Sequence, residues 1–179
     1  MNDNISDFPN IQLHLDKFST INTSSNKPYG LHRARKQEIF TSEKIIIARK
    51  CEIPTCSYVN FPAYVSQTFM VINSERFNLK FLTGLLNSKL VQFWLKYKGK
   101  MQGNNYQLDK EPLQKIPIIT DIDDNIEQNV IMLVDNILQE YESNFEFPKI
   151  ESLENELNNL IYELYEITED EIKLIEESL

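Results

Sequence analysis

Apolar and polar positions change rhythm several times along the chain. Phe8, Ile11, Leu13, Leu15 and Phe18 give the first stretch some apolar content, which predicts a helical turn or two within residues 11–18 (IQLHLDKF). Residues 19–30 (STINTSSNKPYG) are polar and rich in turn formers, and read as a loop. Residues 43–50 (EKIIIARK), 56–61 (CSYVNF) and 63–72 (AYVSQTFMVI) follow, with Pro62 between the last two. Val, Ile, Tyr, Phe and Thr dominate these runs, and their lengths suit strands.

Over 77–98 the apolar positions take helical spacing. Leu82, Leu86, Phe93 and Tyr97 share a face that Leu79, Leu85, Leu90 and Trp94 widen, so one helix is predicted with Asn78 as its N-cap. Gly84 inside it costs about 1 kcal/mol relative to alanine, which marks a close backbone approach. Residues 99–113 (GKMQGNNYQLDKEPL) read as an amide-rich loop, and 113–119 (LQKIPII) as a short final strand. Beyond 120, Ile126, Val130, Leu133, Ile137 and Tyr141 predict a helix, and Phe147-Pro148 interrupts it. A second helix starts near Lys149, where Ile150, Leu153, Leu157, Leu160, Leu164 and Ile167 keep a strict heptad seam, the pattern of a coiled-coil contact. Thr168-x-x-Glu171 is a capping-box signature opening a last short helix.

These elements predict an α+β chain: a small mixed sheet with packed helices over 1–120, then a helical hairpin or coiled-coil-like appendage over 121–179, with a spacer or docking role. Charge divides at the same place. Residues 1–120 hold 16 Lys/Arg against 9 Asp/Glu, net +7, whereas 121–179 hold 2 against 18, net −16. Salt screens charges beyond about 10 Å, so a ligand at the basic body responds to local charge and the acidic total does not exclude nucleic acid. The acidic residues of 121–179 read as the solvated outer face of the helices. No run of eighteen apolar residues exists, and MNDNISDFPN has no apolar signal-peptide core, so a cytoplasmic location is expected.

Candidate chemistry is one-sided. Cys51 and Cys56 form a lone C-x4-C, and neither His14 nor His32 sits at ligand spacing from it, so reduced thiols and no metal site are expected. Gly30, Gly84, Gly99 and Gly103 make neither GxGxxG nor GxxxxGKS, and there is no Asn/Asp-Pro-Pro-Tyr/Phe or G-x-S-x-G motif. Glu171-Ile172-Lys173 has the letters of a nuclease E-x-K, but on a helix in a glutamate-rich tail. No catalytic residue is expected.

The remaining polar groups suit nucleic acid. Lys27, Arg33, Arg35, Lys36, Arg49 and Lys50 crowd into 24 positions, and Lys96, Lys98 and Lys100 run into Gln102, Asn104, Asn105, Tyr106 and Gln107. Cations neutralise phosphates, side-chain amides match the adenine N6/N7 edge, and Arg or Lys matches guanine O6/N7. Residue chemistry alone leaves a solvated basic surface with an ordinary polar turn equally open.

A family resemblance shifts that balance. KPYGLHRAR (27–35), EKIIIARK, YVSQTF (64–69), LTGLLNSKLVQFWLKYKGK (82–100) and KMQGNNYQLDKEPL (100–113) followed by IPI resemble, in order, the TaqI-like C-terminal specificity domain of DNA adenine methyltransferases, in the version carried by type IIG fused restriction–methylation enzymes. LIYELYEITEDEIKLIE (160–176) resembles the helix that closes many such proteins, with Glu166 where the family usually has glycine. The resemblance implies a non-catalytic target-recognition domain that grips double-stranded DNA. A separate N-terminal domain of the parent protein would bind S-adenosylmethionine, flip an adenine and methylate its N6. No cofactor is then expected in this chain. Lys27, His32, Arg33, Arg35, Lys36, Arg49, Lys50, Gln67, Lys96, Lys98, Lys100, Gln102, Asn104, Asn105, Tyr106 and Gln107 are the expected DNA-facing set. Arg33, Arg35, Lys98 and Lys100 would meet phosphates, and Gln102, Asn104, Asn105 and Gln107 would approach bases. The alternative is a protein–protein module that docks, or dimerises, through the heptad seam.

Overall fold

The computed structural model describes residues 4–21, 35–143 and 146–179, and the chain divides into two compact units, residues 1–38 and 39–179. In the first unit, α1 (Pro9–Leu15) carries Pro9 at its first position, where the fixed φ of proline suits a helix start. It lies between single 3-10 turns at Ile5–Asp7 and Asp16–Phe18, so the predicted helical turns are present. Phe8, Ile11, Leu13 and Phe18 are exposed there.

A short helix α2 (Glu38–Thr41) lies at the boundary of the units. The second unit then builds two small sheets around one continuous stretch of chain. β1 (Lys44–Ala48) is the centre of a three-stranded antiparallel sheet between β3 (Cys56–Val59) and β4 (Phe69–Ile72). β2 (Lys50–Cys51) follows β1 after one residue and pairs with β6 (Asn105–Gln107), which also pairs with β5 (Lys100–Gln102). Two antiparallel three-stranded sheets thus replace the single mixed sheet the sequence suggested. The amide-rich segment expected to be a loop is the β5–β6 hairpin. Gly103 takes φ +62 there and Asn104 does not turn positive, which is the signature of a two-residue type II′ turn matched to the twist of paired strands. The final strand expected at 113–119 does not form. α5 (Lys110–Gln114) takes its start, and Pro117 has no N–H to give a ladder.

The predicted helix over 77–98 is two helices, α3 (Leu79–Asn87) and α4 (Lys89–Lys98). Asn78 caps α3 as expected, accepting from the Lys80 and Phe81 amides at 2.9 and 3.3 Å. The break at Ser88 has a physical cause. Its backbone is extended (ψ 151), its hydroxyl donates to the Leu85 carbonyl at 2.7 Å, and it accepts from the Val91 amide at 3.3 Å, so one buried side chain ends one helix and starts the next. Asn87 beside it behaves like a peptide group. It accepts from the Cys56 amide at 2.7 Å and donates to the Cys56 carbonyl at 2.8 Å, fastening α3 to the edge of β3.

The acidic helices are α6 (Asp124–Ser143), α7 (Phe147–Leu164) and α8 (Glu169–Ser178). They do not form a separate appendage. Val130 and Leu133 of α6 and Leu157 and Ile161 of α7 belong to the same buried cluster as Ile45 and Ile47 of β1 and Phe81 and Leu85 of α3. The change at residue 120 is one of surface charge, and the core runs across it. The heptad seam is likewise internal: Ile150 and Leu157 are buried, and Leu153, Leu160 and Leu164 pack against that cluster. A strict apolar repeat demands a neighbouring helix, and here α6 and α4 of the same chain supply it. The seam expected to carry a dimer is thus engaged within one chain.

Gly84 is the close approach its position implied. A Cβ there would lie 2.8 Å from Val130 Cγ1, 3.0 Å from Val134 Cγ2 and 3.2 Å from Leu157 Cδ1, so α6 and α7 rest on the α3 backbone. At the end of α7, Glu166 takes φ 52. The Ile167 amide donates to the Tyr162 carbonyl at 2.9 Å and the Glu166 amide to the Glu163 carbonyl at 3.0 Å, a Schellman cap built on a residue with a side chain. Thr168 and Glu171 then form the predicted capping box of α8.

Two stability outcomes follow from this packing. Gly84→Ala gains about 1 kcal/mol of helix propensity but drives a methyl into two stiff valines, at a cost of about 1–3 kcal/mol. Net destabilisation and a lower midpoint in urea are expected, and an unchanged midpoint would mean that α6 can shift away. Glu166→Gly removes a left-handed conformation worth about 1–2 kcal/mol against a glycine entropy cost of about 0.5–1 kcal/mol. A melting temperature raised by a few degrees, read by calorimetry, is expected.

Candidate nucleic-acid interface

Arg49 is the residue at which the chain passes from one sheet to the other. Its amide donates to the Thr68 carbonyl at 2.8 Å, on the β4 side, and its carbonyl accepts from the Leu108 amide at 2.8 Å, on the β6 side. Both backbone groups are therefore used, and the side chain projects from a fixed base. The same ladder carries the turn before β4 to this point. The Phe69 amide closes that turn on the Ser66 carbonyl at 3.1 Å, and Gln67 lies exposed within it.

The second sheet gathers residues half a chain apart. Lys50 pairs with Gln107, which pairs on its other side with Lys100, so one cross-strand row reads Lys50–Gln107–Lys100. Side chains two apart on a strand share a face, which adds the Gln102–Asn105 pair to that row. The intervening row, Cys51–Tyr106–Met101, points the other way. Tyr106 is 5% exposed and belongs to the hydrophobic core with Leu108. It leaves the expected DNA-facing set, because period-two alternation directs its ring inward while its neighbours Asn105 and Gln107 stay at the surface.

Arg49, Lys50, Gln67, Lys100, Gln102 and Asn104 are exposed, Asn105 and Gln107 half-buried. Strand pairing joins the 49–50 and 100–107 groups, and Gln67 reaches them through the Arg49–Thr68 contact. Lys98 is exposed in the last turn of α4, two residues before Lys100. Lys96 is differently placed: its ammonium donates to the Ser178 carbonyl at the end of α8, so it serves packing. Arg35 and Lys36 are exposed in the first unit, and Lys27, His32 and Arg33 lie outside the described residues.

The acidic helices sort the cations. Lys80 of α3 pairs with Asp135 of α6 at 2.5 Å, and Lys89 of α4 with Glu176 of α8 at 2.9 Å. Among the described residues, no ion pair engages Lys50, Lys98 or Lys100. Arg49 is held by Asp109, Nη2 to Oδ1 at 3.0 Å. Asp109 and its bond to Arg49 were not anticipated from sequence; the residues are 60 apart, and the only available signal was an acid set among amides and cations. Burial disfavours the thiolate at both cysteines. Burial pushes Cys56 up to about 12, with Cys51 adding to the shift, and burial also raises Cys51.

Comparison with known proteins adds independent findings. Residues 11–118 match the family model described as the TaqI-like C-terminal specificity domain. Two similar proteins are the type II methyltransferases M.HincII of Haemophilus influenzae and M.HindII of Haemophilus influenzae strain KW20/Rd, each 27% identical over 136 residues. The alignment covers 74% of this chain but 27% and 26% of those two proteins, so the chain spans about a quarter of the length of the curated relatives it matches.

The two faces of the hairpin separate cleanly by mutation. Tyr106→Ala should cost about 3 kcal/mol in a urea titration, as truncation of a buried aromatic does. Gln107→Ala, on the outward face, should change stability by less than about 0.5 kcal/mol. Equal effects would contradict the register.

Proposed function

The chain belongs to the TaqI-like C-terminal specificity domain family, and from that membership we propose that it is the sequence-reading part of a restriction–modification DNA methyltransferase, carrying no catalysis of its own. The observation that carries this reading is the join at Arg49. One strand brings Arg49 and Lys50 beside Lys100, Gln102, Asn105 and Gln107, while Lys80 and Lys89 on the helices are occupied by acidic groups. A fixed surface with unpaired cations at its margin and side-chain amides within it has the chemistry of duplex DNA recognition: cations hold phosphates, and amides, which both donate and accept, meet base edges.

In this proposal Lys50, Lys98 and Lys100 neutralise phosphates and Gln67, Gln102, Asn104, Asn105 and Gln107 approach bases. Arg35 and Lys36 of the N-terminal unit, and Lys27, His32 and Arg33, which lie outside the described residues, are further candidates for phosphate contact on their charge alone. Lys96 has a packing role. S-adenosylmethionine binding, extrusion of the target adenine and methylation of its N6 belong to a catalytic domain outside this chain. The absence of a glycine-rich cofactor loop from its sequence supports that division.

The test is a salt titration of the purified chain against duplex DNA, read by fluorescence anisotropy. Affinity should fall steeply with salt, and Lys98→Ala should reduce the slope of log K against log salt by about one. No binding near 50 mM salt, or affinity indifferent to salt, would sink the proposal. With S-adenosylmethionine and DNA, the chain alone should transfer no methyl group.

A further inference from the structure

Asp109 occupies the N-cap position of α5, yet its carboxylate makes no capping bond. Aspartate is among the preferred N-caps because its oxygen satisfies an amide at the start of the helix. Here both oxygens are turned elsewhere. Oδ1 accepts from Arg49 Nη2 at 3.0 Å and Oδ2 from Gln107 Nε2 at 3.5 Å, so one carboxylate spans two of the surface residues in the sheet. Arg49 and Asp109 remain 47% and 40% exposed, and an exposed ion pair adds little stability. Packing and capping therefore do not explain the arrangement.

Its geometry does suit a reading head. The Arg49 backbone is fixed on both sides by the two sheets, and Asp109 fixes the far end of the side chain. Guanidinium has five N–H donors in a rigid fork, and a single bond to Asp109 leaves most of them available. Guanine presents two adjacent acceptors, O6 and N7, in the major groove, and Arg matches them bidentately. A bare carboxylate facing DNA would repel phosphates, whereas one already paired with Arg49 is tolerated near base edges. Resting on the DNA-reading proposal above, we propose that Arg49 reads a guanine of the recognised site and that Asp109 is the positioning residue that presets its guanidinium.

The experiment is selection from random duplexes by the full chain, followed by sequencing, for wild type, Arg49→Lys, Arg49→Ala, Asp109→Asn and Asp109→Glu. The wild type should enrich a guanine at one fixed position. Arg49→Lys and Arg49→Ala should each lose at least about fivefold of the preference there and leave other positions unchanged. Asp109→Asn should weaken the same position alone without lowering the melting temperature, and Asp109→Glu should recover part of the loss. The inference is overturned if Arg49→Ala weakens all duplexes alike and lowers the salt slope by about one, which is phosphate behaviour, or if Asp109→Asn leaves the guanine preference intact. A wild-type chain that binds DNA without any Arg49-dependent guanine defeats this inference alone, whereas a chain that binds no DNA at low salt defeats the DNA-reading proposal, and this inference with it.

Discussion

The joint at Asn87–Ser88 is the constraint on which the rest of the second unit depends. A helix that stops inside the core exposes carbonyls at its end and amides at the next beginning, and a buried polar group without a partner costs about 1–3 kcal/mol. Three side-chain bonds answer this demand: Ser88 serves both helix ends, and Asn158 of α7 accepts from the Lys89 amide at 2.8 Å. Asn87 beside them pairs with both backbone groups of Cys56. Sheet, paired helices and acidic helices thus meet at one short interruption. Gly84, one turn earlier, lets α6 and α7 come close enough for the Asn158 contact to be made.

From that joint the position of the candidate surface follows. α3 is fastened to the first sheet, α4 starts anew after the extended Ser88, and its end runs through Gly99 directly into β5. The hairpin then returns to pair with the continuation of β1. Because β1 and β2 are one stretch of chain turned at Arg49, the order of the helices decides which residues flank Lys50. Function in this reading resides in the sheet, but the helices decide where the hairpin lies.

Charge is organised by the same packing. The acidic helices are the third part of the core, and their outer residues engage Lys80 and Lys89 on α3 and α4. Each such pair is worth little in stability because it is partly exposed. The consequence lies in distribution: Lys80 and Lys89 are locally compensated, and Lys50, Lys98 and Lys100 are not. A chain of net charge −9 can in this way keep a locally positive face, since screening confines each group's influence to its neighbourhood.

Local chemistry was legible in the sequence. The strand runs at 43–72, the Asn78 cap, the Thr168–Glu171 capping box and the tight place at Gly84 all depend on residues within a few positions of one another or on a single side chain's volume. So did the outward amides of the hairpin as a class, and the family to which the whole order of motifs belongs. Tertiary structure alone decided the remainder, because those outcomes depend on partners 30 to 70 positions away. Ser88 breaks a helix that its own neighbours would continue, since its hydroxyl and Asn158 meet the backbone groups the break exposes. Tyr106 and Gln107 carry similar sequence signals, and only pairing with β2 and β5 assigns one to the core and the other to the surface. A heptad seam specifies that a helix must lie against it but not which chain supplies that helix. Here α6 and α4 of the same chain lie against the seam, and the segment that reads as a free appendage becomes a wall of the core.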